Sequence, residues 1–257
     1  FWQKASRLIG EIRDKQYDAV IDLSMNSQSG LFMSWAGIRE RIGYDFKGRG
    51  RFLTTRVPLK GFSDKHVAEY YMDLLKCLGI EPVFKPMAFP LSDEDRRWAE
   101  DLFKKNGIEK QTAFAFVPGG GASWGGEAGL KRWPASQFAE LAYKFVEKFK
   151  AQIILLGSIS EQPLAQEIRQ RLKGKALDLT GQTTLGQSAS VFSQCRCVVA
   201  NDGGPLHMAV ASGARTVSIF GPVDPRVYGP YPAQGHAVAT SGIACQPCYR
   251  KFRMARC

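Results

Sequence analysis

Residues 197–212 run Cys197-Val198-Val199-Ala200-Asn201-Asp202-Gly203-Gly204-Pro205-Leu206-His207-Met208-Ala209-Val210-Ala211-Ser212. The apolar start has no polar alternation, which marks a short strand covered on both faces. Asn201–Pro205 then form a glycine loop and Leu206–Ser212 a helix. Pro205 suits the first helical position, where its missing N–H costs nothing. The same unit recurs upstream. Ala113–Val117 is a strand, Pro118–Ala122 a glycine loop, and Pro134-Ala135-Ser136 leads a helix to about Phe149. Ala151–Leu156 is a strand ending at Gly157, followed by a helix over Gln162–Leu172. Leu177–Leu179 is a brief strand before a helix over Leu185–Ser193, and Thr216–Phe220 is the last clear strand. Short strands of this kind between helices predict a parallel α/β sheet, with ligands held beyond the strands' carboxyl ends.

The first third follows a related plan. A helix runs to about Lys15, Asp18–Leu23 is a strand, and Asn26–Gly30 turn into a helix through Trp35. Arg41–Tyr44 reads as the next strand, and His66–Cys77 has helical spacing that stops at Gly79. Pro82, Pro86 and Pro90 break regular structure, so the domain boundary is placed there, giving domains 1–90 and 91–257. Ser92 opens the next helix, with Asp95 at the capping-box position.

A chain of 257 residues with 44% hydrophobic content can bury a sizeable core. It shows neither an apolar run of membrane-spanning length nor a signal peptide, so a cytoplasmic location is expected. The net charge of +11 suits an anionic partner. Residues 41–60 concentrate it, with Arg41, Lys47, Arg49, Arg51, Arg56 and Lys60 against Asp45 alone. No zinc finger, RNP-like strand or basic heptad helix accompanies that charge, so nucleic acid is not the expected partner. Cys77, Cys195 and Cys197 read as small core residues. Cys245, Cys248 and Cys257 cluster in the tail, where a shared metal, a disulfide and free thiols all remain open; His236 is a candidate fourth group.

Three loops carry chemistry. Gly119-Gly120-Gly121 leave a strand and allow backbone N–H groups to approach an anion, with Ser123 as the hydroxyl donor. The run is neither a Walker A sequence nor GxGxxG, and no acid is placed for a ribose, which disfavours a nicotinamide oxidoreductase. Lys131, in Lys131-Arg132-Trp133-Pro134, can reach phosphates as a mobile point charge. Gly203 and Gly204 open the positive end of the following helix to an anion, with His207 in its first turn. Asp202 is expected to order that loop by accepting backbone N–H groups, or to contact a hydroxyl or metal. Asp224, Arg226 and Tyr231, in the proline-rich stretch 220–232, are expected at the rim.

The ordered set Pro118-Gly119-Gly120, Lys131-Arg132-Trp133-Pro134, Asn201-Asp202-Gly203-Gly204-Pro205-Leu206-His207 and Phe220-Gly221-Pro222-Val223-Asp224-Pro225 resembles the bacterial lipopolysaccharide heptosyltransferases of glycosyltransferase family 9. The likeness is strong over residues 113–232 and weaker before them. It implies a GT-B fold of two Rossmann-like domains with parallel sheets, the C-terminal one binding ADP-heptose as donor substrate and the N-terminal one a lipid-linked, phosphorylated saccharide acceptor. Peripheral contact with the inner membrane would follow, and no cofactor or divalent metal is called for. The resemblance gives Lys131, His207 and Asp202 catalytic roles. It assigns substrate binding to Gly120, Gly121, Ser123, Gly203, Gly204, Pro205 and Leu206, and a nucleoside contact to Glu161. The family's first strand and the turn bearing its general base have no counterpart by motif, so an incomplete N-terminal domain is expected, with a segment missing before residue 1 and a chain that alone lacks that base. A GT-B transferase with another sugar or acceptor, and an inactive nucleotide-sugar-binding relative, are the alternatives.

Overall fold

The computed structural model describes residues 2–121 and 129–255, which form two compact units: Phe1–Lys85 with Arg250–Arg253, and Pro86–Tyr249 with Met254–Cys257.

In the first unit the elements run α1 (Trp2–Asp14), β1 (Ala19–Asp22), α2 (Ser27–Trp35), β2 (Glu40–Asp45), β3 (Thr55–Pro58) and α3 (Val67–Asp73), continued by a 3₁₀ turn over Leu74–Leu78. The three strands make a parallel sheet in the order β1-β2-β3, with Ile21 beside Ile42 and Ile42 beside Thr55. Asn26 caps α2 by accepting the Gln28 N–H at 3.0 Å, which explains why the chain turns helical there. Gly79, at φ +70°, supplies the left-handed residue that ends the 3₁₀ turn.

β3 falls inside the basic stretch 41–60, where the sequence predicts no strand after Tyr44. It is four residues long, half-exposed at the sheet edge, and ends in proline, so it has no apolar run to announce it. Two of the arginines of that stretch serve its own backbone. Arg41 Nε donates to Phe52 O and Arg56 Nη2 to Arg51 O, both at 2.8 Å. Part of the local positive charge is therefore spent on holding the loop.

The second unit runs α4 (Asp93–Lys105), β4 (Ala113–Val117), α5 (Ala135–Phe149), β5 (Gln152–Leu155), a 3₁₀ turn (Ile159–Glu161), α6 (Gln162–Arg171), β6 (Leu177–Asp178), α7 (Leu185–Gln194), β7 (Cys197–Asn201), α8 (Gly204–Ala211), β8 (Thr216–Phe220), α9 (Pro225–Tyr228) and β9 (Ala237–Thr240). All six strands are parallel, in the order β6-β5-β4-β7-β8-β9. β9 extends the sheet past the last strand expected from sequence. All four of its residues are exposed, so it too lacks a burial signal.

The strand sequences explain both layers. In β4 the alternate residues Ala113, Ala115 and Val117 join Ala99 and Phe103 of α4, Val191 and Phe192 of α7, and Leu206 and Ala209 of α8 in one core. Phe114 and Phe116 point the other way, against Phe138 and Ala142 of α5 and Ile168 of α6. Phe116 and Phe138 meet edge to face, their ring centres 6.2 Å apart. Because both faces of β4 are covered, neither carries a polar residue, which is why this strand reads as an unbroken apolar run. Burying a side chain such as Phe116 stabilises the fold by roughly 1.5–3 kcal/mol. At α4, Ser92 Oγ accepts the Asp95 N–H at 3.0 Å, as its position ahead of three acidic residues predicts.

Candidate functional site

Chain order and sheet order together locate the site. β4 leads through α5 to β5 on one side, whereas β7 leads through α8 to β8 on the other. The turns leaving these two adjacent strands diverge and open a crevice at their carboxyl ends, where doubly wound sheets bind ligands. Both glycine loops emerge there.

The β4 turn is held from below. Glu161, 3% exposed, accepts the Gly121 N–H through Oε1 at 3.1 Å and the Ser158 N–H through Oε2 at 2.7 Å. Arg132 Nε donates to Gly119 O at 2.7 Å, and its Nη2 stands 3.7 Å from Glu161 Oε1. A Cβ on Gly119 would fall 1.7 Å from that carboxylate oxygen, so only glycine fits. Gly120 and Gly121 follow at φ +69° and +81°, the left-handed region that glycine enters without penalty.

The β7 turn interlocks with it. A Cβ on Gly203 would lie 1.7 Å from Gly120 O, so the two loops touch backbone to backbone. Asp202 N donates to Ile219 O at 3.1 Å, fixing the turn to the end of β8. The Asp202 carboxylate meets Lys131 Nζ at 2.6 Å, with side-chain exposures of 5% and 10%. That differs from the expected backbone-bonding role. With both groups buried, each compensates a charge that would otherwise stand unpaired. Lys131, Asp202, Gly203, Gly204, His207, Val223, Tyr228 and Tyr249 line a pocket of about 210 Å³ at the start of α8.

The structure thus gathers Lys131, Asp202, Gly203, Gly204 and His207 in one pocket and sets Gly120 against Gly203. Glu161 braces the glycine turn from a buried position. Pro205 flanks that turn, its Cδ 3.5 Å from where a Gly121 Cβ would stand. Leu206 is not brought to the pocket. Its side chain is fully buried in the core and its N–H donates to Gly203 O at 3.1 Å, because the first turn of α8 faces the sheet at that position. Ser123 and Cys257 lie outside the described residues. Of the proline-rich loop, Val223 and Tyr228 line the pocket, while Asp224 caps α9 through the Arg226 N–H at 2.9 Å and pairs with Arg226 Nη2 at 2.7 Å.

Val223, Tyr228 and Tyr249 escaped the sequence reading. Tyr249 sits 42 residues beyond His207 in the chain, and no local pattern signals its return. In the tail, Cys245 Sγ and Cys248 Sγ stand 4.0 Å apart. His236 is turned away to Thr216, its Nδ1 2.9 Å from Oγ1. Among the described residues no group of three or more His, Cys, Asp or Glu side chains is placed to hold a metal ion.

A two-unit α/β protein with parallel sheets and a glycine-rich crevice at the switch in strand order has the architecture of the GT-B glycosyltransferases. The chain belongs to glycosyltransferase family 9 (heptosyltransferase), whose family model matches residues 5–257. It is 31% identical over 240 residues to lipooligosaccharide heptosyltransferase 2 of Haemophilus influenzae, covering 86% of this chain and 65% of that one. Lipopolysaccharide heptosyltransferase 2 of Escherichia coli K12 is 27% identical over 225 residues, 83% and 62% of the two chains. Against these relatives the chain spans about two thirds of their length or less. Two solved structures share the fold. The E. coli ADP-heptose lps heptosyltransferase II has a TM-score of 0.74 at 24% identity, over 92% of this chain and 72% of that one. The family 9 glycosyl transferase of Veillonella parvula has 0.79 at 23%, over 93% and 68%.

The span of the family match corrects the sequence reading. It takes in the stretch ahead of residue 113, where motifs were sparse, so the expectations of an incomplete N-terminal domain and of a chain lacking its general base, which rested on missing motifs there, find no support in the match. The reason is the kind of signal each half carries. Phosphate-type turns need glycine at fixed positions and leave sharp motifs, whereas the first unit resembles its relatives through strand and helix packing, which many apolar residues satisfy.

Proposed function

We propose that the protein transfers heptose, with inversion, from ADP-heptose to a lipopolysaccharide core acceptor, the donor lying in the unit Pro86–Tyr249 and the acceptor served by the first unit. The observation that carries this reading is Lys131 held by Asp202 against Gly203, Gly204 and His207, in one pocket at the carboxyl ends of β4 and β7. A diphosphate fits such a place. The glycine turns admit its oxygens to backbone N–H groups, and the start of α8 adds the positive end of a helix dipole.

The roles follow from where charge develops. A carboxylate takes the proton of the acceptor hydroxyl as that oxygen attacks the anomeric carbon from the face opposite the diphosphate. The sugar passes through an oxocarbenium-like transition state. Negative charge then grows on the departing diphosphate, and Lys131 and His207 stabilise it. Asp202 holds the Lys131 ammonium in place before the donor arrives and faces the positively charged sugar as the glycosidic bond breaks. Glu161 and Arg132 keep the glycine turn in the shape that the phosphates require.

The test is donor turnover by the protein with a lipid A–core acceptor. ADP-heptose should be consumed with stoichiometric release of ADP, and uridine- or guanosine-diphosphate sugars should not. Tight ADP binding without transfer would reject the catalytic reading, and equal turnover of another nucleotide sugar would reject the donor.

A further inference from the structure

Asn201 is fully buried at the last position of β7, and none of the roles above uses it. Its Nδ2 donates to Pro118 O at 2.6 Å, on the turn leaving β4. Its Oδ1 accepts the Trp133 N–H at 3.0 Å, two residues beyond Lys131. A Cβ on Gly120 would stand 3.1 Å from the Cβ of Asn201, so the side chain also floors the glycine turn. One amide is therefore stitched between the end of β7, the glycine turn leaving β4 and the segment that carries Lys131.

The chemistry of the position is narrow. Each contact is with a backbone group, one a donor and the other an acceptor, so the side chain must offer one of each from a rigid plane. Asparagine does so. An ionised aspartate offers acceptors only, and leucine offers neither. Left without partners, a buried carbonyl or N–H carries the cost of its own desolvation, so the segments would shift to find others. A shift at Trp133 moves Lys131, whose ammonium must meet both Asp202 and any bound anion.

We propose that Asn201 is the positioning residue of the donor site: anchored on Pro118 and acting through Trp133, it sets Lys131 in register with the glycine turn for a diphosphate. This rests on the donor reading given above. Its signature is dependence on Lys131, since a residue that acts by placing Lys131 has little left to do once that charge is gone.

A double-mutant cycle measures this dependence. ADP is titrated calorimetrically into the parent, N201A, K131M and N201A/K131M, at one salt concentration and at a temperature where circular dichroism shows all four folded. N201A should weaken ADP binding about 10-fold, K131M about 10- to 150-fold, and the double variant little more than K131M alone. Losses that multiply would overturn the inference, as would parent-like binding by N201A alongside weak binding by K131M. Parent-like binding by K131M would overturn the donor reading, and this inference with it.

N201D provides an independent readout should N201A fail to fold. It keeps the shape and the acceptor for Trp133, and can donate to Pro118 only when its carboxyl is protonated. Burial raises the pKa of a carboxyl at this place, so the variant's ADP affinity relative to the parent, measured at each pH, should recover as the pH falls from about 8 to about 4. A ratio constant with pH would overturn the proposal.

Discussion

The ion pair between Lys131 and Asp202 makes opposite demands on stability and on binding, and that contrast can be measured. Nζ and Oδ2 lie 2.6 Å apart, with both side chains at or below 10% exposure. Removing one partner of a buried pair leaves an uncompensated charge and costs about 3–5 kcal/mol. At roughly 2–4 °C per kcal/mol for a domain of this size, K131M should melt about 6–20 °C below the parent. D202N should also melt lower, though by less, because its amide oxygen still accepts from Lys131. Replacing both, in K131M/D202N, restores neutrality and should bring the midpoint back to within a few degrees of the parent. Binding follows a different order. K131M loses a charge-assisted hydrogen bond worth about 1.5–3 kcal/mol, or about 10- to 150-fold in ADP affinity. D202N keeps an acceptor for Lys131 but weakens its hold and removes a negative charge facing the phosphates, so it should bind ADP at least as tightly as the parent. The double variant should be stable yet bind weakly. Differential scanning calorimetry and ADP titration at one salt concentration test both halves, with K60A, from the other unit, as a control for diffuse positive charge. A double variant that binds ADP like the parent, or losses equal in K131M and K60A, would refute the assignment of Lys131 to the anion.

Three further outcomes follow from individual contacts. In G203A the backbone is not the obstacle, since φ 163° is extended, but the new methyl would meet Gly120 O at 1.7 Å. The two turns should part at a cost of about 1–3 kcal/mol with weakened ADP binding, and a variant with the parent's denaturation midpoint and affinity would contradict the interlock. Burial lowers the pKa of His236 below 6.5, so the unfolded chain takes up the proton more readily than the folded one. The contribution of His236 to stability is then present above about pH 6.5 and lost as the pH falls from there through the folded value, and H236Q should flatten that part of the melting profile. Among the cysteines, desolvation raises the pKa of buried Cys195 while Cys245 is exposed. Peptide mapping after timed alkylation of the native, reduced protein should find Cys245 modified early and Cys195 last; early modification of Cys195 would mean that α7 opens readily.

The second unit was legible in sequence because both of its codes are local. Short apolar runs such as Ala113–Val117, bounded by glycine, read as strands covered on both faces, and Gly119, Gly120 and Gly203 stand in turns that backbone or carboxylate atoms approach closely. The capping residue Ser92 marked a helix start for the same reason, since an N-cap bond spans only two or three residues. The edge strands β3 and β9 were not legible, because half-exposed or exposed edges impose no apolar pattern. Nor was the partner of Asp202, the brace that Glu161 gives Gly121, or the approach of Val223, Tyr228 and Tyr249 to the pocket. Composition and spacing thus determined that two glycine turns would stand at the ends of parallel strands. Sheet order alone decided that they stand side by side, because the adjacency of β4 and β7 is set by which helices cover which face. Neighbouring residues in the chain carry no record of that choice.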